Sequence, residues 1–195
     1  MTRRQYITCY VLAGLVFSVS IAAAQSSEPK RPLDVPYVQT TDAAVQMMLK
    51  LADVKKTDIV YDLGCGDGRI VITAAKLYGA RGVGIDIDPQ RIREAKDNAK
   101  TAGVENLVRF EENDLFRADI HEATVVTLFL LSNVNLKLRP KLLQDLKPGT
   151  RIVSNTFDMG DWKPDKKQML DDADEEEFSL SRKFYLWIVP QRREQ

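Results

Sequence analysis

At 195 residues, 44 % of them hydrophobic, the chain is long enough for one globular core and gives no reason to expect a second. Lysine and arginine number 28 against 28 aspartate and glutamate, so the formal charge is zero and no bulk electrostatic argument favours a nucleic-acid partner. One histidine, His121, and two cysteines, Cys9 and Cys65, are too few for a zinc cluster, and no metal is expected.

Arg3 and Arg4 precede an uncharged, mostly apolar run from Ile7 to Ala24. The run ends in Ala22-Ala23-Ala24, the small-residue pattern that a signal peptidase accepts, so 1–24 is expected to be a signal peptide. An uncleaved membrane anchor is the competing reading, since the run sits near the lower limit of about 17 residues for a spanning helix. Thr2-Arg3-Arg4-Gln5-Tyr6-Ile7 also resembles the twin-arginine export motif. The expected location is the periplasm or cell envelope, with membrane association through this segment or retention in the cytosol as alternatives. Residues 25–40, with Pro29, Pro32 and Pro36, read as a linker. The folded domain is expected over 41–190, acting as a monomer.

Thr40 or Thr41 can cap a first helix whose apolar stripe is Val45, Met48, Leu49 and Ala52. Asp58 to Leu63 is a β-branched run ending in glycines, a buried strand. Arg69 to Tyr78 has Ile70, Ala74 and Leu77 at helical spacing. Gly82 to Asp86 is a second strand, and Pro89 opens a helix with Ile92, Ala95 and Ala99 inward. Leu107 to Glu111 is a third strand. Thr124 to Leu131 is the most apolar stretch after the leader and is expected to be the central strand. A helix within Asn133 to Leu146 buries Leu142, Leu143 and Leu146, with Pro140 starting or kinking it. Arg151 to Phe157 is a fifth strand, and Phe178 to Leu180 with Phe184 to Val189 read as a closing pair. Strands alternating with helices imply a mostly parallel α/β sheet with an antiparallel C-terminal hairpin.

The strongest motif is Asp62-Leu63-Gly64-Cys65-Gly66-Asp67-Gly68, placed after the first strand and opening a helix. Glycines serve where the backbone turns at positive φ or a ligand lies against it, and the helix N-terminus offers free N–H groups. A dinucleotide fingerprint would need glycine at 69, where Arg69 stands. The pattern instead resembles the first motif of class I S-adenosylmethionine-dependent methyltransferases. Gly82-Val83-Gly84-Ile85-Asp86 and Asn113-Asp114-Leu115 resemble that family's next two motifs. The resemblance implies a Rossmann-like fold with a seven-stranded sheet and helices on both faces, and S-adenosylmethionine as cofactor. It assigns Asp62, Gly64, Cys65, Gly66 and Gly68 to the cofactor loop and Asp86 to the ribose hydroxyls. Asp114 would accept from the adenine amino group, Leu115 would offer it a backbone N–H, and Ile87 would cover its face.

Pro36-Tyr37-Val38, together with Val60 to Val71, is similar to small bacterial relatives of the mitochondrial protein-lysine methyltransferases, and distantly to the Dot1-type enzymes. That likeness implies a protein lysine as acceptor. A cofactor-binding module without transfer and a small-molecule methyltransferase are the alternatives. Leu131-Ser132-Asn133-Val134-Asn135, after the fourth strand, lacks the Asn-Pro-Pro-aromatic signature of enzymes that methylate nucleic-acid amino groups. Tyr37 and Asn133, with Ser132 and Asn135, are the candidates for orienting the acceptor. His121 is read as a surface residue and Trp162 and Trp187 as packing residues.

Overall fold

The computed structural model describes residues 38–170 and 183–191. The leader, most of the linker, Tyr37 and the expected strand at Phe178 to Leu180 lie outside these residues.

α1 (Asp42–Leu51) begins where the Thr41 hydroxyl accepts a hydrogen bond from the Ala44 N–H, an N-cap, and it buries Ala44, Val45, Met48 and Leu49. β1 (Ile59–Leu63) is followed by α2 (Arg69–Tyr78), β2 (Arg81–Asp86), α3 (Pro89–Thr101), β3 (Val108–Glu112), β4 (Val125–Leu128) and α4 (Ser132–Asp145). β5 (Arg151–Asn155), β6 (Lys166–Met169) and β7 (Lys183–Ile188) complete the series. The sheet order is β3-β2-β1-β4-β5-β7-β6, parallel except for β7, which runs antiparallel to both neighbours. The order reverses direction between β1 and β4, the place where open α/β sheets bind ligands. This is the Rossmann-like class I methyltransferase architecture.

Alternation along the strands sorts the apolar residues into two cores. Val60, Val125 and Val153 face α1, α2 and α3, while Tyr61, Leu63, Val126 and Leu128 face α4. At the end of the sheet opposite the strands' C-termini, buried Asp58 accepts from the Lys55 N–H, the Thr124 hydroxyl and the Arg151 guanidinium. Arg151 also donates to the carbonyls of Ala52 and Asp53, so one ion pair ties the end of α1 to three strands.

Several expectations need correction. Leu77 is 58 % exposed, because α2 turns Val71 and Ala75 toward the sheet alongside Ile70 and Ala74. Leu143 is only half-buried; Val134 and Leu138 join Leu142 and Leu146 in the core instead. Pro140 lies inside α4 rather than at its start. β7 pairs with Lys166–Met169, whose four residues are all exposed, so no alternating pattern marked them as a strand. β4 ends at Leu128 although the apolar run continues to Leu131, and β5 ends at Asn155 because Thr156 takes φ +68°.

The glycines of the cofactor loop and β2 are shaped by one ring. A Cβ at Gly68 would lie 2.6 Å from Phe110, and one at Gly84 would lie 2.6 Å from Phe110 and 2.8 Å from the Cys65 sulfur. Gly84→Ala should therefore force Phe110 or the loop aside and cost about 1–3 kcal/mol of stability, as overpacking does. Urea unfolding measures it; an unchanged midpoint would mean that the ring shifts freely.

Candidate functional site

The glycine loop closes over the C-terminal ends of β1 and β2. The N–H groups of Gly64 and Cys65 both donate to the Ile85 carbonyl, at 2.8 and 2.9 Å. Gly66 donates its N–H to Asp86 Oδ2 at 2.8 Å, and the Asp88 N–H donates to Oδ1 of the same carboxylate at 2.9 Å. Asp86 thus holds the loop and the start of α3 while each oxygen keeps a further lone pair for a ligand hydroxyl. Asn98 on α3 donates to the Asp67 carbonyl at 3.0 Å, a second tie between loop and helix.

A cleft opens beside this loop. Of the residues assigned from sequence, Asp62, Gly64, Cys65, Asp86, Ile87, Asp114 and Leu115 line it. Gly66 and Gly68 do not: Gly66 serves the loop through Asp86, and Gly68, at φ +79°, starts α2 over Phe110. Asp114 Oδ1 accepts from the Phe116 N–H, which closes the turn that presents Leu115.

Residues not assigned from sequence complete the walls. Arg69 donates from Nη1 to the Thr40 carbonyl at 2.6 Å, and Asp67 grips the same guanidinium through Nε and Nη2. This fastens Val38, Gln39 and Thr40 as one side of the cleft. Phe129 and Leu130 form another side, directly after β4. The over-long apolar run at 124–131 was the signal for them: residues past the strand's end stay apolar because they line a cavity.

The acceptor-side candidates fare differently. Tyr37 lies outside the described residues, next in sequence to Val38. Ser132 and Asn133 are exposed and do not line the cleft. Asn133 starts a helix whose N-terminus turns away after Leu131, so being at the correct sheet edge did not bring it inward. Asn135 is fully buried and donates to Ser154 and to two backbone carbonyls, not to the cleft. His121 is exposed beside Asp119, and Trp187 is fully buried with its indole N–H donating to the Trp162 carbonyl.

Electrostatics discriminate between ligands. Five aspartates line the cleft (Asp62, Asp67, Asp86, Asp88, Asp114) against two arginines, and both arginines already hold acidic partners, Asp67 and Glu94. Such a surface opposes a pyrophosphate and suits a ligand carrying positive charge, as the sulfonium and ammonium of S-adenosylmethionine do. Asp62 is the most perturbed of these groups. Burial pushes its carboxyl up to about 7, against the stabilising hydrogen bond from the Thr127 hydroxyl at 2.7 Å, and the nearby Asp86 and Asp67 push the same way as burial. The Cys65 thiol is pushed upward by burial too, which makes it a poor nucleophile.

Residues 62–166 match the family model described as the ANTKMT methyltransferase domain. The chain is 45 % identical over 160 residues to a protein-lysine N-methyltransferase of Saccharolobus islandicus (strain REY15A), covering 82 % of this chain and 96 % of that protein. It is 32 % identical over 156 residues to an ATP synthase lysine N-methyltransferase of Xenopus laevis, covering 80 % of this chain and 68 % of that protein. Among solved structures it is similar to an RNA methyltransferase from Salinibacter ruber in complex with S-adenosyl-L-homocysteine. That match has a TM-score of 0.73 and 52 % identity, and covers 81 % of this chain and 97 % of the other.

Two measurements test the cleft. Asp86→Ala should weaken S-adenosylmethionine at least about tenfold, since charge-assisted hydrogen bonds and the grip on Gly66 go together; calorimetry showing unchanged affinity would remove Asp86 from the site. A cationic ligand favours ionised Asp62, so binding below pH 7 must first draw off its proton. Affinity should then fall as pH drops from 8 to 6, by up to about tenfold per unit below the folded pKa. Asp62→Asn should flatten that dependence.

Proposed function

Because the chain belongs to the ANTKMT methyltransferase-domain family and is an S-adenosylmethionine-dependent methyltransferase, we propose that the amine it methylates is the side chain of a protein lysine. The observation that carries this reading is the apolar flank of an otherwise acidic cleft. Phe129 and Leu130 stand beside Asp62, Asp86 and Asp114. Acidic groups hold the cofactor's cationic and hydroxyl-bearing parts, while the apolar flank suits an alkyl chain and disfavours phosphate.

S-adenosylmethionine supplies an activated methyl group on a sulfonium. In this reading Asp86 accepts from the ribose hydroxyls, Asp114 from the adenine amino group, and Asp62 balances the ligand's positive charge from beneath the loop. Phe129 and Leu130 exclude water from the acceptor's approach. A low-dielectric flank also lowers the lysine's affinity for its proton, and the amine must be neutral to react. The nitrogen lone pair then forms the N–C bond as the S–C bond breaks in line, so alignment matters more than an acid-base group.

The Salinibacter ruber relative bears the name of an RNA methyltransferase, which makes RNA the reading to exclude. Zero formal charge and a net acidic cleft weigh against it. For the N-terminus we propose export or membrane anchoring, on the strength of the charge at Arg3 and Arg4 and the apolar run to Ala24. A native N-terminus at Gln25, read by mass analysis, would support cleavage; retention of Met1 in a cytosolic fraction would overturn export.

The acceptor test uses labelled S-adenosylmethionine with separate protein and RNA extracts. Label should enter the protein fraction, survive ribonuclease, and appear as methyl-lysine after complete hydrolysis. Label confined to RNA would overturn the lysine assignment while leaving the methyltransferase activity intact.

A further inference from the structure

The corner after β5 is strained and closely wired. Thr156, a β-branched residue, holds φ +68°, a conformation that its side chain disfavours. Its N–H donates to the Lys183 carbonyl at 2.6 Å, and the Phe157 N–H donates to the Asn155 carbonyl at 2.8 Å. The Ser154 hydroxyl donates to the Phe157 carbonyl at 2.6 Å. From α4, fully buried Asn135 turns its Nδ2 toward three acceptors: Ser154 Oγ at 3.3 Å, the Phe157 carbonyl at 3.2 Å and the Asp158 carbonyl at 3.3 Å. An amide oxygen in that place would face two carbonyls, so the donors define the orientation. Asn135 Oδ1 is left buried without a partner among the described residues. An orphaned oxygen costs stability, and a side chain retained at that cost calls for a use.

The use lies at the cleft. α4 follows β4 through Phe129 and Leu130, which line the cleft, and the strained corner follows β5, the next strand in the sheet. Asn135 ties these two exits together. Phe157 is half-buried and stacks on half-buried Phe129, with ring centroids 6.4 Å apart and planes inclined by 27°. We propose that Asn135 is a positioning residue. By clamping the Ser154–Asp158 corner to α4 it holds Phe157 against Phe129, and this aromatic pair forms the wall along which the acceptor's alkyl-ammonium chain enters. Aromatic faces attract a cation and shield an alkyl chain equally well. The kinetic part of this inference rests on the lysine reading above; the structural part does not.

Asn135→Asp keeps the shape and removes the donors. In the unmodified protein, nuclear Overhauser contacts between the Phe129 and Phe157 rings are expected, and N135D should lose them while its affinity for S-adenosylmethionine changes less than about twofold. With poly-L-lysine as the probe acceptor, N135D and F157L should each raise KM at least about fivefold with a smaller effect on kcat, the pattern of lost acceptor binding. Ring contacts that persist in N135D, or an unchanged KM in both variants, would overturn the proposal. So would cofactor affinity falling in step with the unfolding midpoint, the mark of a merely structural residue. Should N135D fail to fold, S154A carries the ring-contact measurement and F157L the kinetic one. If the unmodified protein leaves poly-L-lysine unmethylated, the lysine reading fails on that probe, and the ring contacts with the cofactor affinity still decide the role of Asn135.

Discussion

The cofactor loop rests on the ring of Phe110. That ring fills the space that side chains at positions 68 and 84 would need, so two glycines from different motifs are explained by one aromatic residue on β3. The third glycine of the loop motif is thus a packing requirement and not a ligand contact. With the loop seated, Gly64 and Cys65 reach the Ile85 carbonyl, Gly66 reaches Asp86, and α2 can begin at Gly68. The binding geometry is built before any ligand arrives, which spares the ligand the entropy of ordering it.

The two ends of the sheet use carboxylates in opposite ways. Asp58, at the end away from the cleft, is saturated by a backbone N–H, a hydroxyl and a guanidinium, and serves only to join α1 to the strands. Asp62, four residues along and at the other end of the same strand, is equally buried but has a single hydroxyl donor. Burial without a cationic partner lifts its pKa to about 7. A carboxylate left short of positive charge beside a cleft is poised for a ligand that brings it.

Most of the architecture was legible from periodicity. The first five strands and four helices have one buried face each, and Thr41, Pro89 and the glycines punctuate them as local chemistry demands. The same logic failed where burial and periodicity part company. Lys166–Met169 is a strand with no buried face. Phe129 and Leu130 look like strand but line a cavity, and Thr156 ends β5 in a conformation its type disfavours. The cofactor side of the cleft could be read because its residues belong to short contiguous motifs at strand ends. The acceptor side could not, because its walls join segments far apart in sequence, from Thr40 to Phe157, and hydrogen bonds such as those of Asn135 leave no local pattern.

The strap over the cleft is fastened to a main-chain atom. Arg69 bonds the carbonyl of Thr40, and Asp67 fixes the guanidinium from behind. Every amino acid offers that carbonyl, so the fastening is indifferent to what side chains the strap carries. Val38, which is 45 % exposed, and Gln39 can therefore be exchanged without loosening the wall to which they belong. A lineage can retune the rim of its cleft toward a new partner by single substitutions there, with the cofactor's seat left untouched.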